Sequence, residues 1–384
     1  MWMNIDQVLD LPNVTVVNYK KIDGIIFLKL NLVNETIECP NCHRILDTIN
    51  QTEYSLARDL AIIGNPVYLE VPRRQFYCPN CDKYTTERLS FMRLRKHHTT
   101  RYEEMIYERV KRSNIKEVCQ EEGLGWDEVN SIFEELAKRD EKKEWESPKR
   151  ISLDEFSNRK GHKDLITTVI DLDNKKLLEV IKGHKQEEVM KELKSQPEGV
   201  REKIEEVSVD MWEGFTAVIK ELFPNAKITY DRFHVMRIVN EELNELRKIM
   251  NVHKKGLLHL LWKNQNDLKE EQKQSLEKVL EEYPLLRIAY EMKEEFRQIY
   301  ERSRKANGAK RQFEKWLRTS GIIYRKSANM VRNHLTGICN YFERHTTNGI
   351  TEGMNTKIKL IKRMSYGFTN FQHLRLKLFA CFNS

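Results

Sequence analysis

RISLD (150–154), LITTVID (165–171), KLLEVI (176–181), VSVD (207–210) and AKITY (226–230) lie in the stretch that decides the fold. Each is a short run of β-branched and aliphatic residues between turn-forming or charged positions, the pattern of buried strands. Asp173-Asn174 separates the second run from the third and predicts a hairpin, so Asp171 and Asp173 are read as turn residues. Helical spacing fills about 186–204. A second helix follows through Phe215, Val218, Ile219 and Leu222. The order is therefore three strands, helix, strand, helix, strand. Two strands end in a carboxylate, Asp154 and Asp210, 56 residues apart.

That order is the ribonuclease H-like core, in which neighbouring strand ends bring Asp154 and Asp210 together. Position carries the inference, because most of the 58 acidic residues must be solvated surface charge and aspartate often ends strands. Glu155 alternates to the opposite face of its strand and is read as a poor ligand. After Asp231-Arg232-Phe233-His234, residues 235–334 almost lack β-branched runs and repeat helical spacings such as Leu257-Leu258-Leu260-Leu261, which predicts an all-helical insertion. The chain closes with TTNGITEGMN (346–355). Asn348-Gly349 reads as a turn and Thr351 as an N-cap, which puts Glu352 in the first turn of a helix lined by Lys357, Lys359, Lys362 and Arg363.

Upstream, Cys39-Pro40-Asn41-Cys42 and Cys78-Pro79-Asn80-Cys81 repeat both spacing and internal Pro-Asn, 35 residues apart. Four thiolates on two tight turns suit one tetrahedral structural Zn²⁺. Val67–Val71 and Arg74–Tyr77 read as strands between the knuckles, giving a ribbon-like module. A basic stretch follows from Arg88 to Lys116, including Arg93, Arg95 and Lys96, which are read as phosphate contacts. Ile115, Val118, Cys119 and then Val129, Ile132, Phe133 mark two short amphipathic helices around Gly123-Leu124-Gly125, the outline of a helix-turn-helix. Residues 137–150, AKRDEKKEWESPKR, read as a charged linker.

The balance of 66 Lys+Arg against 58 Asp+Glu gives +8, which permits a polyanionic partner. With 32% charged residues and no apolar run near the ~20 residues that span a bilayer, an integral membrane protein is excluded. The N-terminal residues lack a basic and then apolar leader, so a soluble, unsecreted protein is expected.

Paired CPNC knuckles, a helix-turn-helix, and then LDEFSNRKGH, VDMWEGF, YDRFHV and TNGITEGMNTKIKLIKRMSYGF occur in an order that resembles the ISL-three family of bacterial insertion-sequence transposases, over nearly the whole chain. The resemblance implies a DDE triad of Asp154, Asp210 and Glu352 holding two Mg²⁺ (or Mn²⁺) ions. It also implies double-stranded DNA as partner, both the element's terminal inverted repeats and target DNA. Asp231-x-x-His234 is similar to a D/C-x-x-H element of related transposases with helical insertions. His234 is read as a hydrogen-bonding residue and Trp212 as core or a base-stacking residue, both without an assigned role. The expected architecture is a multidomain α/β protein: zinc ribbon (1–87), helix-turn-helix and linker (88–148), ribonuclease H-like core (149–234), all-helical insertion (235–340) and closing core helix (341–384). A cytoplasmic, nucleoid-associated enzyme acting as at least a dimer is expected, because two element ends must be cut together. The competing readings are an inactive transposase-derived regulator and a structure-specific nuclease of the same fold.

Overall fold

The structure is a computed structural model that describes residues 5–141, 144–157, 165–211, 213–346, 349–368 and 370–382; Trp212 lies outside them. Two compact units are present, Met1–Asp140 with Met364–Gly367, and Glu141–Arg363 with Phe368–Ser384.

The first unit opens with α1 (Ile5–Leu9) and the hairpin of β1 (Val14–Ile22) and β2 (Ile25–Leu32). Its turn, Asp23-Gly24, has φ of 49° and 79°, the left-handed pair that a two-residue hairpin needs. After β3 (Ile37–Glu38) and β4 (Ile45–Leu46) comes a long hairpin of β5 (Ile49–Ile62) and β6 (Asn65–Cys78), then β7 (Lys83–Thr86). The sheet order is β1-β2-β6-β5 with β7 on β6. Alternation along β6 turns Val67, Leu69 and Val71 inward against Leu28, Leu30 and Ala57, all essentially inaccessible to solvent. Where the sequence predicts two strands at 67–71 and 74–77, the structure has one. Pro72 stays in register opposite Tyr54 and does not end the ladder.

The same unit holds three helices, α2 (Thr100–Arg112), α3 (Ile115–Glu122) and α4 (Trp126–Asp140). Asn114 caps α3 by accepting from the Glu117 N–H, and Gly123 ends it in the left-handed conformation at φ 67°. Val118, Val129, Ile132 and Phe133 are buried, as the amphipathic spacing predicts, and Phe133 stacks on Tyr107 of α2 at 5.7 Å. The sheet, the cysteine turns and these helices lie in one compact unit.

The second unit contains β8 (Arg150–Ser157), β9 (Leu165–Asp171), β10 (Lys176–Lys182), α5 (Gln186–Lys194), α6 (Glu198–Arg201), β11 (Glu206–Val209), α7 (Glu213–Leu222) and β12 (Lys227–Tyr230). The sheet order is β10-β9-β8-β11-β12. β8, β9 and β10 are antiparallel, whereas β8, β11 and β12 are parallel. This is the ribonuclease H-like arrangement expected from the sequence. Asp171 is structural as predicted: its Oδ1 accepts from the N–H groups of Asp173 and Asn174 at 2.9 and 3.0 Å.

The helical insertion comprises α8 (Arg232–Ile249), α9 (Leu257–Trp262), α10 (Glu270–Glu282), α11 (Pro284–Arg302), α12 (Ala306–Ser320) and the first half of α13 (Arg325–Arg344). Phe296, Tyr300, Phe313, Trp316 and Phe342 pack ring to ring inside it. His334 breaks α13 with φ −119°, and the helix beyond lies on the edge strand β12, where Asn340 Nδ2 donates to Ile228 O at 2.8 Å. The predicted limit at residue 340 therefore falls inside a helix. Amphipathic spacing shows that a helix is buried but not which layer buries it. Two helices close the chain, α14 (Gly349–Met364) and α15 (Phe371–Phe382). α14 begins before Thr351, so Thr351 is a buried helical residue and not the N-cap. Arg375 of α15 reaches Glu179 on β10 at 3.0 Å and fastens that helix to the sheet. No helix among the described residues is long and apolar enough to cross a membrane.

Candidate functional site

The register of the parallel strands sets the site. Val209 of β11 pairs with Leu153 of β8 and with Tyr230 of β12. The next residues, Asp154, Asp210 and Asp231, therefore stand in a row at a strand spacing of about 4.8 Å, Asp210 and Asp231 just past the ends of β11 and β12 but Asp154 inside β8, which does not end there as the sequence suggests but stays paired with β9 through Ser157. Two of the three predicted carboxylates are thus neighbours because the sheet makes them so.

Asp154 is held from both sides. Its Oδ1 accepts from the Glu155 N–H at 2.9 Å, and its Oδ2 accepts from Asn355 Nδ2 of α14 at 2.5 Å. Burial pushes its carboxyl above the usual range and the negative charge of Asp210 adds to this, while the two hydrogen bonds and His234 oppose it. Asp231 caps α8, accepting from the His234 N–H at 3.2 Å, and its Oδ2 lies 2.8 Å from the ring Nδ1. This partner raises the imidazole pKa, with a smaller contribution from Asp154, which favours the protonated ring beside the aspartates.

Glu352 stands apart. It is exposed in the first turn of α14, beside a cavity that Asp231 also lines. Among the described residues, the only group of three or more His, Cys, Asp or Glu ligand atoms that all lie within 4.8 Å of one another is the cysteine cluster. Asn355, one turn beyond Glu352 on the same helix face, is what α14 delivers to Asp154. Two residues gain a place that their reading from sequence did not give them. Asn355 sits inside a quoted motif, and its i+3 spacing from Glu352 was the available signal. Glu155, expected to turn away, has a pKa pushed up to about 7 by burial and by the charges of Asp210 and Asp154. Its Oε1 is buried with no hydrogen-bond partner. Asp210 lies past the end of β11, so strand alternation does not confine it to one face.

The four cysteines converge as predicted. Sγ of Cys39 and Cys81 are 3.9 Å apart, and those of Cys42 and Cys78 are 3.6 Å apart. A tetrahedron with ~2.3 Å metal–sulfur bonds has edges of ~3.8 Å, so the turns are spaced for zinc. Asn80 lowers the Cys42 thiol, and Cys42 in turn raises Cys81. A divalent cation removes that conflict by favouring all four thiolates.

Residues 151–378 match the family model described as "Transposase", the DDE domain of the ISL3 group. The chain belongs to the ISL3 transposase family. Two further matches cover the "Helix-turn-helix domain of transposase family ISL3" at residues 87–137 and the zinc-finger of the IS204/IS1001/IS1096/IS1165 transposases at residues 35–81. Among curated relatives, the transposase for insertion sequence element IS1001 of Bordetella parapertussis is 27% identical over 359 residues, 90% of this chain and 88% of the relative. The transposase for IS1557 of Mycobacterium tuberculosis (strain ATCC 25618 / H37Rv) is 25% identical over 345 residues, 80% of this chain and 77% of the relative. This ISL3 transposase therefore carries a structural zinc site and a DNA-binding helix-turn-helix, and is a DDE enzyme.

Several of the basic residues expected to contact DNA have internal partners in this transposase. Arg93 pairs with Glu103 and Glu135, and Lys96 Nζ donates to Glu135 Oε2 at 2.9 Å. α4 is rich in acidic residues, and these cations balance them. Arg95 is exposed, with φ 62°. On α14, Lys357 Nζ donates to Cys381 O at 2.7 Å and Lys362 Nζ to Ser157 O at 3.0 Å, while Lys359 and Arg363 are exposed.

Proposed function

We propose that the first unit recognises the terminal inverted repeats of an insertion sequence and that Asp154, Asp210 and Glu352 serve in-line cleavage and strand transfer in the second unit. The observation that carries this reading is the register that seats Asp210 beside Asp154, with α14 tied to the Asp154 carboxylate through Asn355. The donor set fits hard divalent cations: two adjacent, partly buried carboxylates, with Asp154 raised in pKa by burial and by the charge of Asp210, would be stabilised by a cation between them. Asp154, Asp210 and Glu352 would hold two Mg²⁺ or Mn²⁺ ions, which when bound would supply Lewis-acid activation of a water or a 3′-hydroxyl and offset charge on the leaving oxygen. Asp154, fixed between the Glu155 N–H and Asn355, sets the geometry, and Asp210 presents the second carboxylate at strand spacing. His234, braced by Asp231, places positive charge where the scissile phosphate approaches. Arg95, Lys359 and Arg363 track the backbone. We further infer a cytoplasmic protein that acts as at least a dimer, because both ends must be cut in one assembly.

The test is cleavage of a plasmid carrying the gene's flanking DNA, with Mg²⁺ or with EDTA, comparing wild type with Asp154→Asn, Asp210→Asn and Glu352→Gln. Metal-dependent cuts at the element ends that disappear in all three variants are expected. Tight binding of those ends with no cutting under any divalent metal would instead make the chain a regulator. Cutting that survives Glu352→Gln would remove that residue from the triad.

A further inference from the structure

Residues 302–332, which hold the end of α11, all of α12 and the start of α13, contain ten Lys and Arg and one acidic residue, Glu314. That segment is at +9 against +8 for the whole chain, so the remaining residues together are at −1 and the positive excess of the protein is concentrated here. All ten cations are exposed. Among the described residues, Arg304, Lys305, Arg311, Lys315 and Arg318 have no carboxylate oxygen within 4.0 Å, whereas Arg93 and Lys96 of the first unit are paired with Glu135. Unpaired cations of one sign repel one another, a cost that a polyanion lying along them removes.

The helix arranges these charges in a line. Ala309, Phe313, Trp316 and Ser320 are the buried side of α12, and Arg311, Lys315 and Arg318 follow one another at i, i+4 and i+7 on the side away from them. At 1.5 Å per residue the stripe from Lys305 to Arg318 runs ~20 Å, which matches about six nucleotide steps of 3.4 Å along a duplex strand. A row of that length suits a linear polyanion better than a single small anion. Its place in the second unit follows from α13. The Tyr230 hydroxyl, at the end of β12, lies 3.0 Å from His334 Nδ1, and Arg344 pairs with Glu205, just ahead of β11. The first half of α13 therefore leaves the sheet at the end that carries Asp210 and Asp231. α12 folds back along α13, with Phe313 6.3 Å from Phe342, so its last turn, with Arg318, stands on that same side of the sheet.

We propose that the α12 stripe of Arg311, Lys315 and Arg318 binds the phosphate backbone of duplex DNA without sequence preference, as a DNA surface separate from the zinc ribbon and helix-turn-helix. The identity of the polyanion rests on the transposase reading. Cations on one helix face neutralise phosphates and leave the base edges unread, and each neutralised phosphate releases counterions, so the signature of the contact is salt dependence. The element's own end, the host DNA flanking the cut and the target present the same backbone, and the experiment separates them.

Binding is measured with the full-length, zinc-loaded protein and no added Mg²⁺ or Mn²⁺, on three DNAs: an end duplex that stops at the cut, an end duplex that continues into the flank, and a generic duplex added to protein already saturated with the short end. For Arg311→Gln/Lys315→Gln/Arg318→Gln, the slope of log affinity against log salt is expected to be shallower by about 2.7, so that wild type loses ~40-fold more affinity than the variant between 50 and 200 mM salt. A change already present on the short end assigns the element's own DNA, one that first appears on the longer duplex assigns the flank, and one confined to the generic duplex assigns the target. Arg311→Lys/Arg318→Lys is expected to keep the wild-type slope, because charge alone is read. The control Lys194→Gln/Lys254→Gln/Lys273→Gln removes the same charge from cations that have acidic partners and is expected to leave the slope unchanged. Wild-type slopes on all three DNAs, or an equal change in the control, would overturn the proposal. Loss of polyglutamate binding with unchanged DNA slopes would assign the surface to an acidic protein and overturn it as well. A shallower slope in a protein that cuts nothing would keep the surface while the catalytic reading fails, and unchanged slopes with normal end cleavage would remove the surface alone.

Discussion

Gly337 lies where α13 leaves the insertion and crosses β12, and replacing it by alanine tests whether that crossing positions the site. A Cβ at 337 would stand 2.5 and 2.6 Å from Cε2 and Cδ2 of Tyr230 and 3.3 Å from Ile228 O. Carbon–carbon contacts settle near 3.5–4.0 Å, so ring or helix must retreat by about 1 Å. The ring cannot easily yield. Its hydroxyl is 3.0 Å from His334 Nδ1 and 3.2 Å from Thr216 Oγ1, and Tyr230 is buried in the core. Alanine should gain about 1 kcal/mol over glycine in a helix interior, whereas overpacking of this kind costs ~1–3 kcal/mol and here also strains two hydrogen bonds. A net loss of ~1–2 kcal/mol is expected, which lowers the melting temperature of a unit this size by roughly 2–8 °C. Circular dichroism melts of the zinc-loaded protein measure it. Gly308→Ala is the control, because nothing lies within 4 Å of a Cβ there and a small rise is expected. Tyr230 immediately precedes Asp231, so Gly337→Ala should also slow end cleavage. A variant that melts at or above wild type would refute the reasoning, because the helix gain would then exceed a clash with nowhere to go. A Tyr230→Leu background, which removes the struck ring edge, should abolish most of the penalty in a double-mutant cycle.

Three other outcomes follow from the same geometry. Asn355→Ala removes the amide that donates to Asp154, so cleavage should fall by about one to two orders of magnitude while melting changes by only ~1 kcal/mol; Asn355→Asp, which adds a like charge, should be slower still, and unchanged rates in both would detach α14 from the chemistry. Cys78→Ser should reduce zinc content, read by atomic absorption, and abolish binding of end DNA, with the second unit still melting cooperatively. The Glu155 carboxyl is raised from 4.5 to about 7, so the fold retains a proton that the unfolded chain has lost across that window. In EDTA, stability should therefore fall as pH rises from about 4.5 to 7. Glu155→Gln should remove ~2 kcal/mol of that decline after allowance for partial solvent screening, leaving the smaller slope due to Asp154. A pH profile of the variant that overlays wild type would show that Glu155 titrates normally.

Strand-forming runs and the aspartates among them were legible because both are local, although β8 continues past Asp154 to Ser157. β-branched clusters commit to strands wherever they fall, and a βαβ order leaves few ways to arrange five strands. The Cys39/Cys42 and Cys78/Cys81 knuckles were legible for the same reason, since each turn builds half a tetrahedron by itself. What could not be seen was register. β6 continues unbroken through Pro72 because β5 stays paired with it there, Tyr54 opposite Pro72, after β2 has left the other edge at Glu70, and no window of residues 65–78 contains that information.

The same limit explains the acidic row. Asp231 was visible as part of a motif, but its standing level with Asp154 and Asp210 follows from two register pairs, Val209 with Leu153 and Val209 with Tyr230, that only the assembled sheet fixes. Once they are fixed, three like charges crowd one edge, and every nearby feature reads as a response to that crowding. Asn355 and the Glu155 N–H donate to Asp154, His234 is held by Asp231 with its proton favoured, and Glu155 resists ionisation. An edge built only for stability would replace crowded carboxylates with neutral residues, because the raised pKa values of Asp154 and Glu155 are destabilisation at neutral pH. A cation-binding edge keeps them, since bound metal reverses the sign of the interaction. If so, divalent metal should raise the melting temperature of wild type and lose that effect in Asp154→Asn/Asp210→Asn, which should itself melt higher than wild type in EDTA.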